Sequence, residues 1–300
     1  MRNDKLLNYL HLHFIVFIWG FTAVIGALIS LDAIPLVWYR MGLASVFVLL
    51  YIAIARKKIR FPKKVLFGFF IAGLIIAVHW LTFFGAIKVS NVSVTLAIMS
   101  TGAFFTSLLE PLFYKRRIIF YEVIFGLIAV IGLFIIFQAS MEYFWGIILA
   151  LISAFLSALF SVINGRYAKR YEASVISMYE LIFGMLCISV YLLFTESFTA
   201  DFFIVSTSDW WYLFLLASVC TAYAFIASVH VMRWLSPFTV MLTINLEPVY
   251  GIILALWILG DSENMSPQFY YGALIILATV ILNGILKMKA YRKSKEIPLS

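Results

Sequence analysis

The sequence predicts an all-α polytopic membrane protein of ten transmembrane helices, arranged as two inverted five-helix repeats, and three observations carry that prediction. Hydrophobic residues make up 64% and charged residues 12% of the 300, against about 25% charged in a soluble domain. The apolar residues fall in runs of about twenty, the length that crosses a bilayer as a helix. Sliding the chain by 146 residues brings Ser90 onto Ser236, Val94 onto Val240, Leu108 onto Leu254 and Gly126 onto Gly272, and aligns the polar breaks as well.

Taken in order, the first half gives spans at 10–30, 35–55, 66–87, 92–114 and 118–138. No small-residue cleavage site follows the first run, so that span is expected to stay in the mature chain. The second half gives 144–165, 174–195, 210–233, 238–259 and 268–286. Very short polar turns, Ser90-Asn91 and Ser236-Pro237, precede spans four and nine. Trp210-Trp211 and Tyr270-Tyr271 open spans eight and ten, where amphipathic rings anchor at the membrane boundary. Five spans per unit is an odd number, so two units in series cross with opposite orientation. Inverted repeats of this kind place a solute site near the midplane between them.

Charge sets the orientation. With the N-terminus in the cytoplasm, the cytoplasmic segments hold Arg2 and Lys5, the Arg56–Lys64 cluster, Lys115–Arg117, Arg166, Lys169, Arg170, Arg233 and the basic tail after Lys287. Only Arg40 and Lys88 lie elsewhere, and the opposite loops carry Asp32, Glu142, Glu196, Asp201, Asp209, Asp261 and Glu263. The net charge of +8 is therefore the signature of topology, not of a nucleic-acid partner. Both termini are expected in the cytoplasm of a multi-pass plasma-membrane protein, a bacterial inner-membrane one given the short chain.

Several residues carry a family resemblance: Trp19-Gly20, Arg40 after Pro35, Phe84-Gly85-Ala86-Ile87 running into Ser90, and Glu247-Pro248 followed by Gly260-Asp261. On these the chain resembles the EamA branch of the drug/metabolite transporter superfamily over nearly its whole length. The first half departs from the pattern, with Gly102 where Pro248 aligns and Tyr114-Lys115 where Gly260-Asp261 aligns. The resemblance implies a first EamA-like repeat over 1–140, a second over 141–290 and a cytoplasmic tail at 291–300. It also implies secondary transport, export or uptake with export preferred, of an amino acid or related metabolite by alternating access. The partners implied are a small-molecule solute, the lipid bilayer, and protons or another coupling ion.

Charged and polar groups inside spans are the sharpest functional clues, because each costs roughly 2.5–3.5 kcal/mol at the bilayer centre on insertion scales. Glu247 stands mid-span beside Pro248 and reads either as a coupling site for a proton or cation or as a carboxyl hydrogen-bonded across helices; Asn245 is two residues away, on another face. His79 in span three reads either as a titrating group or as a satisfied core histidine. Arg40 and Glu180 are 140 residues apart at equivalent depth, and read as alternating gates or as locally paired charges. Glu110, close to Lys115, reads as an interfacial ion pair. Trp19, Trp80, Tyr223 and Tyr250 fall mid-span and, by the resemblance, face the central cavity; the alternative is packing. Gly20, Gly73, Gly126, Gly132 and Gly272 are read as close helix contacts.

Other classes find less support. An intramembrane enzyme needs a nucleophile with its base or a metal set, and neither H-E-x-x-H nor G-x-S-x-G is present. His11 and His13, two residues apart, face different ways on a helix, and Cys187 and Cys220 sit in apolar runs, so no metal or cofactor is expected. A receptor or channel-like protein lacks the extramembrane domain or filter it needs.

Overall fold

The computed structural model describes residues 2–115 and 120–296. Arg116, Arg117, the first two positions of the expected fifth span and residues 297–300 of the expected tail lie outside the described residues. Ten membrane segments are formed, entirely helical among the described residues, and eight of them are both long and apolar enough there to cross a bilayer. The first three are single helices, α1 (Arg2–Leu28), α2 (Ala33–Ile54) and α3 (Lys63–Val89). Segment four is two helices, α4 (Val92–Met99) and α5 (Gly102–Tyr114), followed by α6 (Phe120–Ala139), α7 (Phe144–Tyr167) and α8 (Ala173–Phe194). Segment eight runs from α9 (Thr207–Ala217) through a π-helical turn (Ser218–Tyr223) into α10 (Ala224–Val231). Segment nine is α11 (Pro237–Ile244) and α12 (Glu247–Leu259), and α13 (Pro267–Glu296) ends the fold. Large apolar side chains such as Phe194, Trp257 and Leu112 point outward from this bundle, as a lipid-facing surface requires.

The structure adds one feature and corrects another. Spans four and nine stand where expected, but each is broken after eight residues, at Ser100-Thr101 and at Asn245-Leu246. Such breaks barely disturb hydropathy, so the apolar pattern conceals them. The repeat register is also one residue different from the apolar match. Val92 and Pro237 start equivalent helices, as do Gly102 and Glu247, each pair 145 apart. Caps set this register where Leu and Val coincidences cannot. Asn91 Oδ1 accepts from the Val94 amide at 2.8 Å and Ser236 Oγ from the Thr239 amide at 3.2 Å, so both short helices start on an N-cap. The helices that follow both end in a residue of positive φ, Lys115 and Gly260. α2 and α8 repeat in the same way, with Arg56 and Glu196 at φ 49° and 52° just beyond their C-termini.

The two repeats run in opposite directions. α4 begins at the end of the molecule that carries the acidic loops, where the Val92 and Ser93 amides donate to the Glu263 carboxylate at 3.0 and 2.8 Å. α11 begins at the other, basic end, where Pro237 packs on Gly165 beside the Tyr114 hydroxyl. Three crossings between the halves bring glycine against glycine: Gly20 with Gly251, Gly73 with Gly184, and Gly132 with Gly272. At the last, a methyl group on either residue would lie within 3.0 Å of the other's carbonyl oxygen, so α6 and α13 meet backbone to backbone.

Candidate functional site

The breaks and the π turn converge on a cavity between the repeats. Its wall is built from α1 (Trp19, Thr22), α2 (Arg40), α3 (His79, Trp80, Phe83), α7 (Ser157, Phe160, Ser161), the π turn (Cys220), α10 (Phe225, Ser228), α11 (Met241, Ile244) and α12 (Glu247). Its volume is about 80 Å³, and each buried water needs roughly 10–15 Å³ on this scale, so several waters or a small solute fit. A larger recess of about 500 Å³ opens between α1, α2, α8 and the π turn, lined by His11, Glu172, Tyr223 and His230 among mostly apolar side chains. Volume does not choose between them. The smaller cavity lies between the repeats and brings an acid, a base and an imidazole from three different helices onto one wall.

Glu247 is the first residue of α12, half-buried, with its carboxyl facing the cavity. Its position differs in kind from the mid-helix site expected from sequence. The helix stops at Asn245 and restarts, so a carboxylate here sits at a helix N-terminus, where the macrodipole favours negative charge. Pro248 occupies the first turn, in which no intrahelical N–H is required, and therefore leaves the helix unkinked.

Arg40 is 2% exposed and is held on three sides. Its Nε donates to Thr221 Oγ1 at 2.6 Å, its guanidinium lies 4.1 Å from the centre of the Trp80 ring, and Phe84 flanks it at 5.3 Å. Nη1 is buried with no hydrogen-bond partner among the described residues. Glu247 and Arg40 are near enough for their charges to interact. His79 is half of each reading. Its Nδ1 lies 2.9 Å from the Ser153 carbonyl oxygen, which can only accept, so Nδ1 carries a hydrogen. The ring's other edge is left to the cavity it lines.

The π turn supplies the rest. Adding a residue to the turn releases carbonyls and hydroxyls from regular pairing, a device frequent at functional sites. Trp19 Nε1 donates to the Cys220 carbonyl at 3.1 Å, and Thr221 Oγ1, which receives Arg40, donates to the Leu216 carbonyl five residues back at 2.7 Å. The extra residue also rotates Tyr223 off the cavity, against the sequence expectation. Tyr223 lies in the second recess, where its hydroxyl is 2.9 Å from His11 Nε2.

Of the residues expected at the site, Glu247, His79, Trp80, Trp19 and Arg40 are brought together. Asn245 is buried behind the cavity wall at the helix break, with Nδ2 unpartnered among the described residues. Tyr250 packs on Gly20 and edge-on to Phe17 at 5.6 Å. Glu180 does not meet Arg40; it is wholly buried off the cavity, beside Asn164 of α7. Sequence reasoning missed the π turn and the α7 wall. The second had a signal: Ser153, Ser157, Ser161 and Asn164, spaced four, four and three apart, draw a polar line down one face of an apolar helix.

The model of the EamA-like transporter family matches the chain twice, at residues 8–138 and 144–285. A crystal structure of a protein 15% identical in sequence superposes with a TM-score of 0.67, covering 93% of this chain and 97% of its own, a likeness of fold. A search of curated proteins gives no match.

Proposed function

The chain belongs to the EamA-like transporter family, a family of membrane transporters of small solutes rather than enzymes, and from that premise we propose that it is a secondary active transporter of an amino acid or related metabolite. The observation that carries the reading is that Glu247 and Arg40 both line one cavity between the repeats, near enough for their charges to interact. A zwitterion presents an ammonium and a carboxylate. Glu247 at its helix start receives the first, the unpartnered Nη1 of Arg40 the second, and Trp19 and Trp80 give the solute's carbon skeleton an apolar wall. His79 offers a further hydrogen-bonding edge.

Glu247 also serves as the coupling residue. A single carboxylate that holds either the solute's ammonium or a proton or other cation makes the two compete, and competition at one site couples their movements. Alternating access follows from the inverted repeats, which rock against each other about the central cavity. In the conformation described, the halves are tied together at the acidic end by Asp209 at the start of α9, which accepts from the Ser30 amide at 2.9 Å and from its hydroxyl at 2.5 Å. These ties, with Glu263 on α4, must break for the cavity to face that side. The Lys and Arg cluster supports a cytoplasmic basic end by the positive-inside rule. We place the protein in a bacterial inner membrane, with both termini cytoplasmic and export as its direction.

The test is flux of a labelled amino-acid and metabolite panel in proteoliposomes under an imposed pH gradient, comparing wild type with Glu247→Gln. Gradient-driven flux of one class of compound, reduced at least about tenfold in the variant, supports the reading; the same flux and pH dependence in both removes Glu247 from coupling.

A further inference from the structure

The polar line on α7 leads away from the central cavity to a second buried acid. Ser153 at its upper end bonds His79, its Oγ lying 2.8 Å from Nδ1. Ser157 and Ser161 line the cavity. Asn164 closes the line one turn below Ser161, with its amide beside the Glu180 carboxyl of α8. Glu180 and Asn164 are both 0% exposed. Neither carboxyl oxygen of Glu180 and neither Oδ1 nor Nδ2 of Asn164 has a hydrogen-bond partner among the described residues, and the same holds for Ser161 Oγ and Ser177 Oγ, each one turn away on the same two helix faces.

A carboxylate buried in this way with no cation is among the most costly arrangements a protein can hold. Counting donors and acceptors shows how it is relieved. The Asn164 amide offers N–H donors and one carbonyl acceptor. A carboxylate offers only acceptors, so it satisfies Nδ2 and leaves Oδ1 facing negative charge. A carboxylic acid offers one O–H donor and one carbonyl acceptor, the complement of an amide, so drawing the two groups into contact closes all four orphaned atoms at once. We propose that Glu180 and Asn164 form a proton-binding pair distinct from the central Glu247, with Glu180 carrying the proton and Ser161 linking the pair to the cavity.

The surroundings fit a site of this kind. Gly73 of α3 brings that helix directly onto the Glu180 backbone and shuts the pair off from lipid. Among titratable groups on the elements packed around it, Tyr167 of α7 is near enough to interact with Glu180. Arg40 of α2 and His79 of α3 face the central cavity, and His230 of α10 faces the second recess. The proton comes from water in the cavity and returns there, changing the charge of the pair by one and requiring no other reactant. The pair stands whatever solute the cavity takes.

Infrared difference spectroscopy of the full chain, purified and reconstituted at neutral pH, reads the proton directly. The wild type is expected to show the C=O stretch of a hydrogen-bonded carboxylic acid that is lost in Glu180→Gln, retained in Glu247→Gln and displaced toward the frequency of a free acid in Asn164→Leu. Glutamine pairs with Asn164 amide to amide, so Glu180→Gln is expected to fold. Should it not, the isotope shift of the band on transfer to heavy water, measured in wild type and Asn164→Leu, makes the same decision. A spectrum unchanged by Glu180→Gln, or a Glu180 signal of carboxylate type, overturns the proposal. So does a thermal stability that rises with sodium in wild type but not in Glu180→Gln, which would assign the site to a metal cation. Loss of flux in Glu247→Gln bears on the central site alone, so failure of either reading is separable from failure of the other.

Discussion

Arg40 and Glu180 occupy the same place in the two repeats and live in different surroundings. α2 and α8 have equal length, begin 140 residues apart and are each followed, two residues beyond the last helical one, by a residue of positive φ, so each carries its buried charge at the same depth. Arg40 lies on the cavity wall over Trp80, anchored to Thr221; Glu180 lies behind it with Asn164. The difference arises in the partner helix. α2 packs on the π turn of segment eight, whereas α8 packs on α3, its unbroken counterpart. Duplication has preserved the backbone plan, and small departures in the facing helix have divided the chemistry between the halves.

The comparison breaks most severely at Arg40. Arg40→Ala strips Thr221 and the Trp80 face of their partner and is expected to abolish solute binding by calorimetry and to destabilise the fold by about 3 kcal/mol or more, the cost of breaking a buried charge's contacts. Arg40→Lys keeps the charge but loses the planar stack and the Nε donor, and should fall between. Reversing both charges, Arg40→Glu with Glu180→Arg, is expected not to rescue either single change, because the two side chains do not meet.

Smaller effects test the shared frame. Gly272→Leu forces a side chain into the α6–α13 crossing and should lower stability in thermal melts by about 1–3 kcal/mol. Glu263→Ala removes the carboxylate that caps α4, costing roughly 0.5–2 kcal/mol; a cysteine placed at Ser93 in that background is expected to label faster from the acidic side. Pro248→Ala should change stability by no more than about 0.5 kcal/mol, since the ring fills a first-turn position where any helix former serves.

The ten segments were legible because a bilayer fixes the length of an apolar run, and the cation asymmetry marked the two ends. Glu247, His79 and Arg40 stood out because charge and imidazole are expensive inside such runs. The helix breaks did not stand out, since Ser100-Thr101 and Asn245-Leu246 interrupt hydropathy by two residues each. The register was one residue off because apolar identities arise between any two membrane helices, while the decisive Asn91 and Ser236 caps depend on side-chain geometry. Tyr223 was assigned to the cavity by the family resemblance, which carries no information on the π turn at Ser218–Tyr223 that ends at this residue. The serines of α7 were missed, because a hydroxyl carries no charge and can bond its own helix backbone, so it does not stand out in an apolar run.

That π turn has a genetic consequence. Segment eight holds one residue more than a regular helix of the same reach, so this one departure from α3 amounts to a single in-frame codon. Deleting Ala222 should let the helix close its ordinary ladder, withdraw the Cys220 carbonyl from Trp19 and carry Thr221 away from Arg40, returning the second half to the plain geometry of α3.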